Sequence, residues 1–197
     1  MARLRVRKPW TEVLEPAPPD LDILQAFLNS WDRLMERDEL HSPEALSAWL
    51  VQWRLATEPL DLTEADRKQV LRIRDALLGL AQCNHGIEVP DWITTRLHEA
   101  ADDAPFQLRF QTGIGRATFQ PGSDGLPAVV ARILLLVARA QQEGEWPRLK
   151  TCRAKECRRV FFDSSPNRSR IWCSQDLCGG RNQMRAIRRR EKHSSWW

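Results

Sequence analysis

Two cysteine pairs of identical internal spacing constrain this chain more than any other feature. Cys152-Arg-Ala-Lys-Glu-Cys157 and Cys173-Ser-Gln-Asp-Leu-Cys178 each hold four residues between their members, and fifteen residues separate the pairs. Two thiols a few residues apart in a tight turn can converge on one ion without strain. Two such pairs complete a tetrahedral shell, with sulfur about 2.3 Å from the ion. Four sulfurs leave no open position for water, and the nearest downstream histidine, His193, lies beyond a run of arginines. The spacing therefore predicts one structural zinc held by Cys152, Cys157, Cys173 and Cys178. A segment of about 45 residues buries too little apolar surface to fold alone, so metal binding should be coupled to folding.

The charge is divided between the two ends of the chain. From Arg148 to Trp197 there are 14 Lys and Arg against 4 Asp and Glu, while the first 147 residues carry 16 against 22. The formal net charge of +4 hides this contrast. An acidic body joined to a strongly basic end is the polarity expected of a nucleic-acid binder. Arg181, Arg185, Arg188, Arg189 and Lys192 recur three and four positions apart, which places them on one broad face of a helix. Arg168 and Arg170 precede Trp172-Cys173, and Asn182 follows Arg181. These eight residues are the candidate nucleic-acid contacts. Phosphate is the default target for each of them, because phosphate accounts for most protein–DNA hydrogen bonds.

Upstream, the apolar periodicity is mostly helical. Leu21 to Trp31 has apolar residues three and four apart. Ser42-Pro43 predicts a second helix, capped by the serine and opened by the proline, with Leu46, Trp49, Leu50 and Trp53 inward. Thr63 and Asp66 form a variant of the capping box ahead of a third helix carrying Val70, Leu71, Ile73, Leu77, Leu78 and Leu80. Pro90-Asp91 opens a fourth, with Trp92, Ile93 and Leu97 inward. Phe106 to Gln111 then alternates at the strand period, Thr112-Gly113-Ile114-Gly115 supplies a turn, and Ala117-Thr118-Phe119 returns. A last helix runs from about Pro127 to Gln142, and Gly144-Glu145-Trp146-Pro147 reads as a linker. In the cysteine segment, Val160-Phe161-Phe162 reads as a strand, and the second pair should sit where a helix begins.

The fold class is thus α+β: a mostly helical N-terminal domain with a small β-hairpin, then a small, treble-clef-like, four-cysteine zinc finger ending in a basic helix. The expected domains are residues 1–145, a finger over 146–192 and a tail over 193–197. No apolar segment follows the basic N-terminal residues, and the stretch Leu126 to Ala140 is too short to span a bilayer. A cytoplasmic protein without membrane association is expected, and in a reducing compartment paired cysteines favour metal thiolates over disulfides.

The segment from Cys152 through Val160-Phe161-Phe162-Asp163-Ser164, Asn167-Arg168-Ser169-Arg170-Ile171-Trp172-Cys173-Ser174 and Cys178-Gly179 resembles the bacterial CGNR zinc finger. The Phe-Asp-Ser, Arg-x-Trp-Cys-Ser and Cys-Gly elements match in order and spacing. Where the family name describes Cys-Gly-Asn-Arg, this chain has Cys178-Gly179-Gly180-Arg181, with an asparagine only at Asn182. The upstream part is similar, more loosely, to the ABATE domain these fingers usually carry. The matching pieces are Phe27-Leu28-Asn29-Ser30, Leu46-Ser47-Ala48-Trp49-Leu50, Leu71 to Leu77 and Ala131-Arg132-Ile133. The resemblance implies a bacterial cytoplasmic, DNA-binding, stress-responsive transcription regulator with a sensing half. Composition and spacing alone reach as far as a zinc-stabilised nucleic-acid binder, and an RNA-binding or protein-interaction zinc module is the alternative.

Other residues invite a role. Asn29 and Arg74 interrupt apolar helical segments and are candidate ligand contacts for a small-molecule effector; the competing reading has them satisfy backbone ends or a carboxylate such as Asp75. Trp31, Trp49, Trp53 and Trp92 fall on apolar helical faces and read as core. Cys83, ahead of Asn84-His85-Gly86, reads as a helix-end cysteine. No phosphate-cradling glycine loop, nucleophile elbow or catalytic carboxylate pair appears, so no enzyme is expected. Expected partners are DNA, an unidentified effector and a second copy of the chain, since paired half-sites would strengthen a weak single finger.

Overall fold

The computed structural model describes residues 17–184 together with Thr11, Leu14 and Glu15. Helix α1 (Pro19–Asn29) starts with proline at its first turn and two acids, Asp20 and Asp22, beside the positive end of the helix dipole. It buries Leu21, Leu24, Phe27 and Leu28. The helix stops at Asn29, short of Trp31, because the chain turns there into a two-residue hairpin, β1 (Trp31–Asp32) with β2 (Arg37–Asp38). The Asp32 carboxylate fixes that turn by accepting from the Leu34 and Met35 amides at 2.9 and 3.1 Å.

Helix α2 (Pro43–Gln52) begins as its sequence predicts, with the Ser42 hydroxyl accepting from the Ala45 amide at 3.1 Å. Helix α3 (Glu64–Cys83) carries the full capping box. Asp66 N donates to Thr63 Oγ1 at 3.2 Å and Thr63 N to Asp66 Oδ2 at 2.8 Å. Helix α4 (Asp91–Asp102) lies along α3 and buries Ile93 and Ala100. The hairpin follows, β3 (Phe106–Phe110) antiparallel to β4 (Ala117–Pro121), with Leu108 opposite Phe119. Helix α5 (Gly125–Gln142) packs on α1 and β4.

Two tryptophans expected in the core lie elsewhere. Trp31 and Trp92 are both more than 40% exposed. Trp31 falls on the strand that ends α1. Trp92 sits in the first turn of α4, where the Arg96 guanidinium covers its ring at 5.0 Å. Trp49 is buried as expected, tilted against Phe27 and Trp53.

The segment expected as a linker is packed. Trp146 opens a short 3-10 turn (Trp146–Arg148) and is buried in the same apolar cluster as Phe27, Leu77 and Val137. Leu149 on β5 (Leu149–Thr151) and Val160 on β6 (Val160–Phe162) join that cluster. The body's core thus continues into the first hairpin of the finger. A second, smaller cluster gathers the four cysteines with Ala154 and Phe161. Beyond it a π-helical turn (Gln175–Gly179) leads into helical residues 180–184, where the described residues end. Among the described residues no helix is long and apolar enough to cross a membrane.

Candidate metal centre

Both cysteine pairs are shaped by short-range hydrogen bonds. In the first knuckle, Cys152 N donates to Arg159 O and Cys157 N to Ala154 O, each at 2.8 Å. Arg158 closes the knuckle in the left-handed region, at φ 57°. In the second, the Ser174 hydroxyl accepts from Leu177 N at 3.2 Å and its carbonyl from Cys178 N at 3.0 Å. Arg153 N donates to Ile171 O at 3.0 Å and so ties one knuckle to the approach of the other.

The four sulfurs meet. All are buried and all lie within 4.8 Å of one another. Cys157 Sγ is 3.6 Å from Cys173 Sγ, and Cys173 Sγ is 3.7 Å from Cys178 Sγ. A regular tetrahedron with about 2.3 Å from centre to sulfur has edges of about 3.8 Å. The cluster therefore fits one structural zinc ion, and the donor set suits it chemically: four soft thiolates in a closed shell. The electrostatics point the same way. The Cys157 sulfur, with Cys173 and Cys178, pulls Cys152 towards the thiolate, whereas the Cys152 sulfur, with Cys157 and Cys178, pushes Cys173 up. Cys157 is likewise shifted towards the thiolate and Cys178 is pushed up, so two sulfurs ionise readily and two resist, and a cation would be needed for all four to be thiolates together.

A family model for a "putative stress-induced transcription regulator", ABATE, matches residues 21–142, and a model for the CGNR zinc finger matches residues 148–191. The chain belongs to the ABATE family. Its CGNR finger follows in the order the sequence motifs predict. No curated protein matches the chain. A regulatory, zinc-binding role is the general function these two domains give it.

In this ABATE–CGNR chain the motif residues between the pairs have visible work. The Asp163 carboxylate is fully buried and accepts from Lys150 Nζ at 2.8 Å, Ser165 N at 3.1 Å, Ser165 Oγ at 2.6 Å and Arg170 N at 3.0 Å. Burial pushes its carboxyl up, but the Lys150 ammonium and the Ser165 hydroxyl outweigh that and hold it below the usual carboxylate range. Lys150 also donates to Arg168 O. Arg170 lies 5.5 Å over the Phe161 ring and donates to Cys173 O at 3.2 Å, which holds the loop against the second pair.

The candidate nucleic-acid residues divide accordingly. Arg170 is committed to the finger's own structure through these contacts, with Glu15 and Ser164 also near its guanidinium. Arg168 is exposed, in a left-handed turn at φ 49°. Arg181 and Asn182 are half-buried in the first turn of helical residues 180–184. Asn182 Nδ2 donates to Cys178 O at 2.7 Å, which braces the second knuckle from the following turn. Gly180 has ordinary helical angles, and a Cβ there would meet only Gln175 O at 3.8 Å, so the position has room for an asparagine. Arg185, Arg188, Arg189 and Lys192 lie outside the described residues.

Asn29 and Arg74, candidates either for a ligand contact or for a structural role, both make structural contacts. Asn29 Nδ2 donates to Val160 O at 2.8 Å and its Oδ1 accepts from Val160 N at 2.9 Å, so its amide pairs with β6 as another strand would. Arg74 makes two hydrogen bonds to the Asp38 carboxylate, at 2.8 and 3.0 Å, and one to Ser30 Oγ at 2.9 Å. Its partner is therefore Asp38, across the fold, in place of the neighbouring Asp75. The buried pair of Arg159 with Asp32, at 2.8 Å, adds a second link from finger to body. Asn84 donates to Trp146 O and Leu149 O, both at 2.8 Å, and His85 Nε2 to Thr151 O at 2.7 Å. Sequence reasoning passed over Asn84 and His85 as bystanders of Cys83, yet they are the end of α3 that holds β5. Nothing in a single sequence pairs residues 65 positions apart.

Proposed function

We propose that this protein is a DNA-binding transcription regulator in which zinc-held sulfurs orient a basic helix against duplex DNA. The supporting observation is the placement of Cys178 immediately before helical residues 180–184. The ligand sulfur, the Cys178 carbonyl held by Asn182, and Arg181 follow one another within a single turn. Bound zinc would cross-link the two knuckles, and the helix leaving the second would inherit a fixed direction. In the sequence Arg185, Arg188, Arg189 and Lys192 follow at spacings of three and four, and the excess positive charge from residue 148 onward favours a polyanion. The family description as a stress-induced transcription regulator supports DNA as that polyanion. The reading makes the chain a binder, not an enzyme, and places it in the cytoplasm with its target.

Because Asn29, Asp32, Asn84 and His85 all grip the finger, the body would set its orientation on DNA. An effector acting on the body would then reach the finger through α1 and the end of α3. The test is binding of the zinc-loaded chain to duplex DNA, by fluorescence anisotropy, over a range of salt. Each phosphate contact contributes about −0.9 to the log–log slope, so five or more give roughly −4 to −5. A slope near zero sinks electrostatic docking. Stronger binding to structured RNA at matched salt favours the alternative, an RNA-binding zinc module.

A further inference from the structure

The hairpin that follows α4 exposes an unusual amount of apolar surface. Phe106, Leu108, Phe110, Ile114 and Phe119 are between 37% and 68% exposed. At about 200 Å² per large side chain, that is roughly 550 Å² of apolar area. It is near the upper limit for the largest patch on a typical monomer, and about two thirds of the ~800 Å² each partner gives a standard interface. The pattern is one-sided. Phe106, Leu108 and Phe110 share a face with Pro121, Phe119 and Ala117 opposite them, while Gln107, Arg109, Thr118 and Gln120 occupy the other. On the apolar side, Phe106, Ala117 and Phe119 line an open groove of about 640 Å³ with Leu134, Leu135 and Ala138 of α5.

The backbone decides what fits there. Gln111 N donates to Arg116 O at 2.8 Å and Gly122 N to Pro105 O at 2.7 Å. Pairs 105–122 and 111–116 are thus the hydrogen-bonded type, and so, by alternation, are 107–120 and 109–118. The N–H and C=O groups of Phe106, Leu108 and Phe110 therefore point out of the free edge of β3. Among the described residues no other strand pairs with that edge.

We propose that β3 pairs with β3 of a second copy, antiparallel, about a two-fold axis at Leu108. The sequence Phe106-Gln107-Leu108-Arg109-Phe110 has the required palindromic pattern. Leu108 meets the partner's Leu108, Phe106 meets the partner's Phe110, and Gln107 meets the partner's Arg109. The three outward residues supply about six backbone hydrogen bonds, and no like charges stand opposite each other. The Arg109 guanidinium already donates to a Gln107 amide oxygen within the chain, at 2.5 Å. The partner's Phe110 arrives beside Phe106, at the mouth of the groove under α5. A two-stranded ribbon of marginal stability becomes a four-stranded sheet with one apolar face. The inference is independent of whether the finger grips DNA.

Sedimentation of the full zinc-loaded chain, from about 1 to 100 μM, tests it. The mass should rise from 22.8 kDa towards twice that value. Leu108→Lys places two ammonium groups at the axis and should weaken dimerisation at least about tenfold, with bound zinc unchanged as the control for folding. Leu108→Cys should cross-link two chains on oxidation, since Cα atoms across such a pair lie about 5.5 Å apart, within disulfide range. Thr118→Cys, on the inner strand and the polar face, should not. A monomer throughout, a dimer indifferent to Leu108→Lys, or a Leu108→Cys chain that fails to cross-link overturns the proposal.

Discussion

Asn29 and Val160 stand 131 positions apart and are joined by two hydrogen bonds, with the side-chain amide of one closing on the backbone N–H and C=O of the other. Through this pair the body completes the open edge of the finger's first hairpin. Replacing Asn29 with Ala leaves two buried backbone groups unpaired, at about 1–3 kcal/mol each. For a chain of this size the thermal midpoint should fall by roughly 5–15 °C. Asn29→Asp should be no better, because a carboxylate cannot donate to Val160 O. A thermal midpoint unchanged in both variants would show that the finger does not depend on this bond.

Arg74 and Asp38 give a second mutational test. The guanidinium is buried and binds both carboxylate oxygens, with Ser30 as a third partner. Arg74→Ala leaves Asp38 without its main counter-charge and should cost about 3 kcal/mol in denaturant unfolding. Arg74→Lys should recover only part of this, since an ammonium cannot reproduce the planar two-oxygen contact. A ligand-contact role for Arg74 predicts the opposite, a variant that unfolds like the wild type.

Stability should fall with acid in two stages. Burial, with the nearby Arg153 and Lys150 charges, lowers the His85 pKa below its ordinary 6.5 although its bond to Thr151 O opposes this. The unfolded chain then binds more protons below about pH 6.5, so stability declines as pH drops from there through the depressed folded value. Asp38 is held below 3.8: burial raises it, but the bond and charge of Arg74 outweigh the burial. Its contribution is present above about pH 3.8 and is lost as pH falls through the lower folded value. Unfolding measured against pH should lose the first stage in His85→Gln and the second in Asp38→Asn. An unaltered first stage in His85→Gln would remove His85 from the account of acid sensitivity.

Much of this was legible in the sequence because it is local. The cysteine spacing, the Ser42 cap, the Thr63–Asp66 box and the period-two alternation of Phe106 to Phe110 act over a few residues, and each appears where the sequence places it. What stayed hidden is long-range. Asn29 looks like a polar fault in an apolar helix until β6 lies beside it. Trp146 looks like part of a linker until the body's core closes over it. Trp92 has the helical spacing of a core residue, but α4 turns its first turn to solvent, and only Ile93 and Ala100 are fully buried on that helix. Asp163 was visible as a motif letter, while its four donors come from Lys150, Ser165 and Arg170, which only the folded loop brings together.

The sulfur cluster also separates the roles of the five cysteines. Cys83 lies at the end of α3, its thiol near Gly79 O and Glu88 O, away from the other four. Native mass spectrometry of chain purified without added metal, together with zinc analysis, tests the central claim most directly. The prediction is one zinc per chain, retained in Cys83→Ser and lost in Cys173→Ser, with loss of the finger's fold on chelation. A metal-free chain whose residues 148–184 stay folded, or a Cys173→Ser chain that still holds one tightly bound zinc, would contradict a finger built on four thiolates.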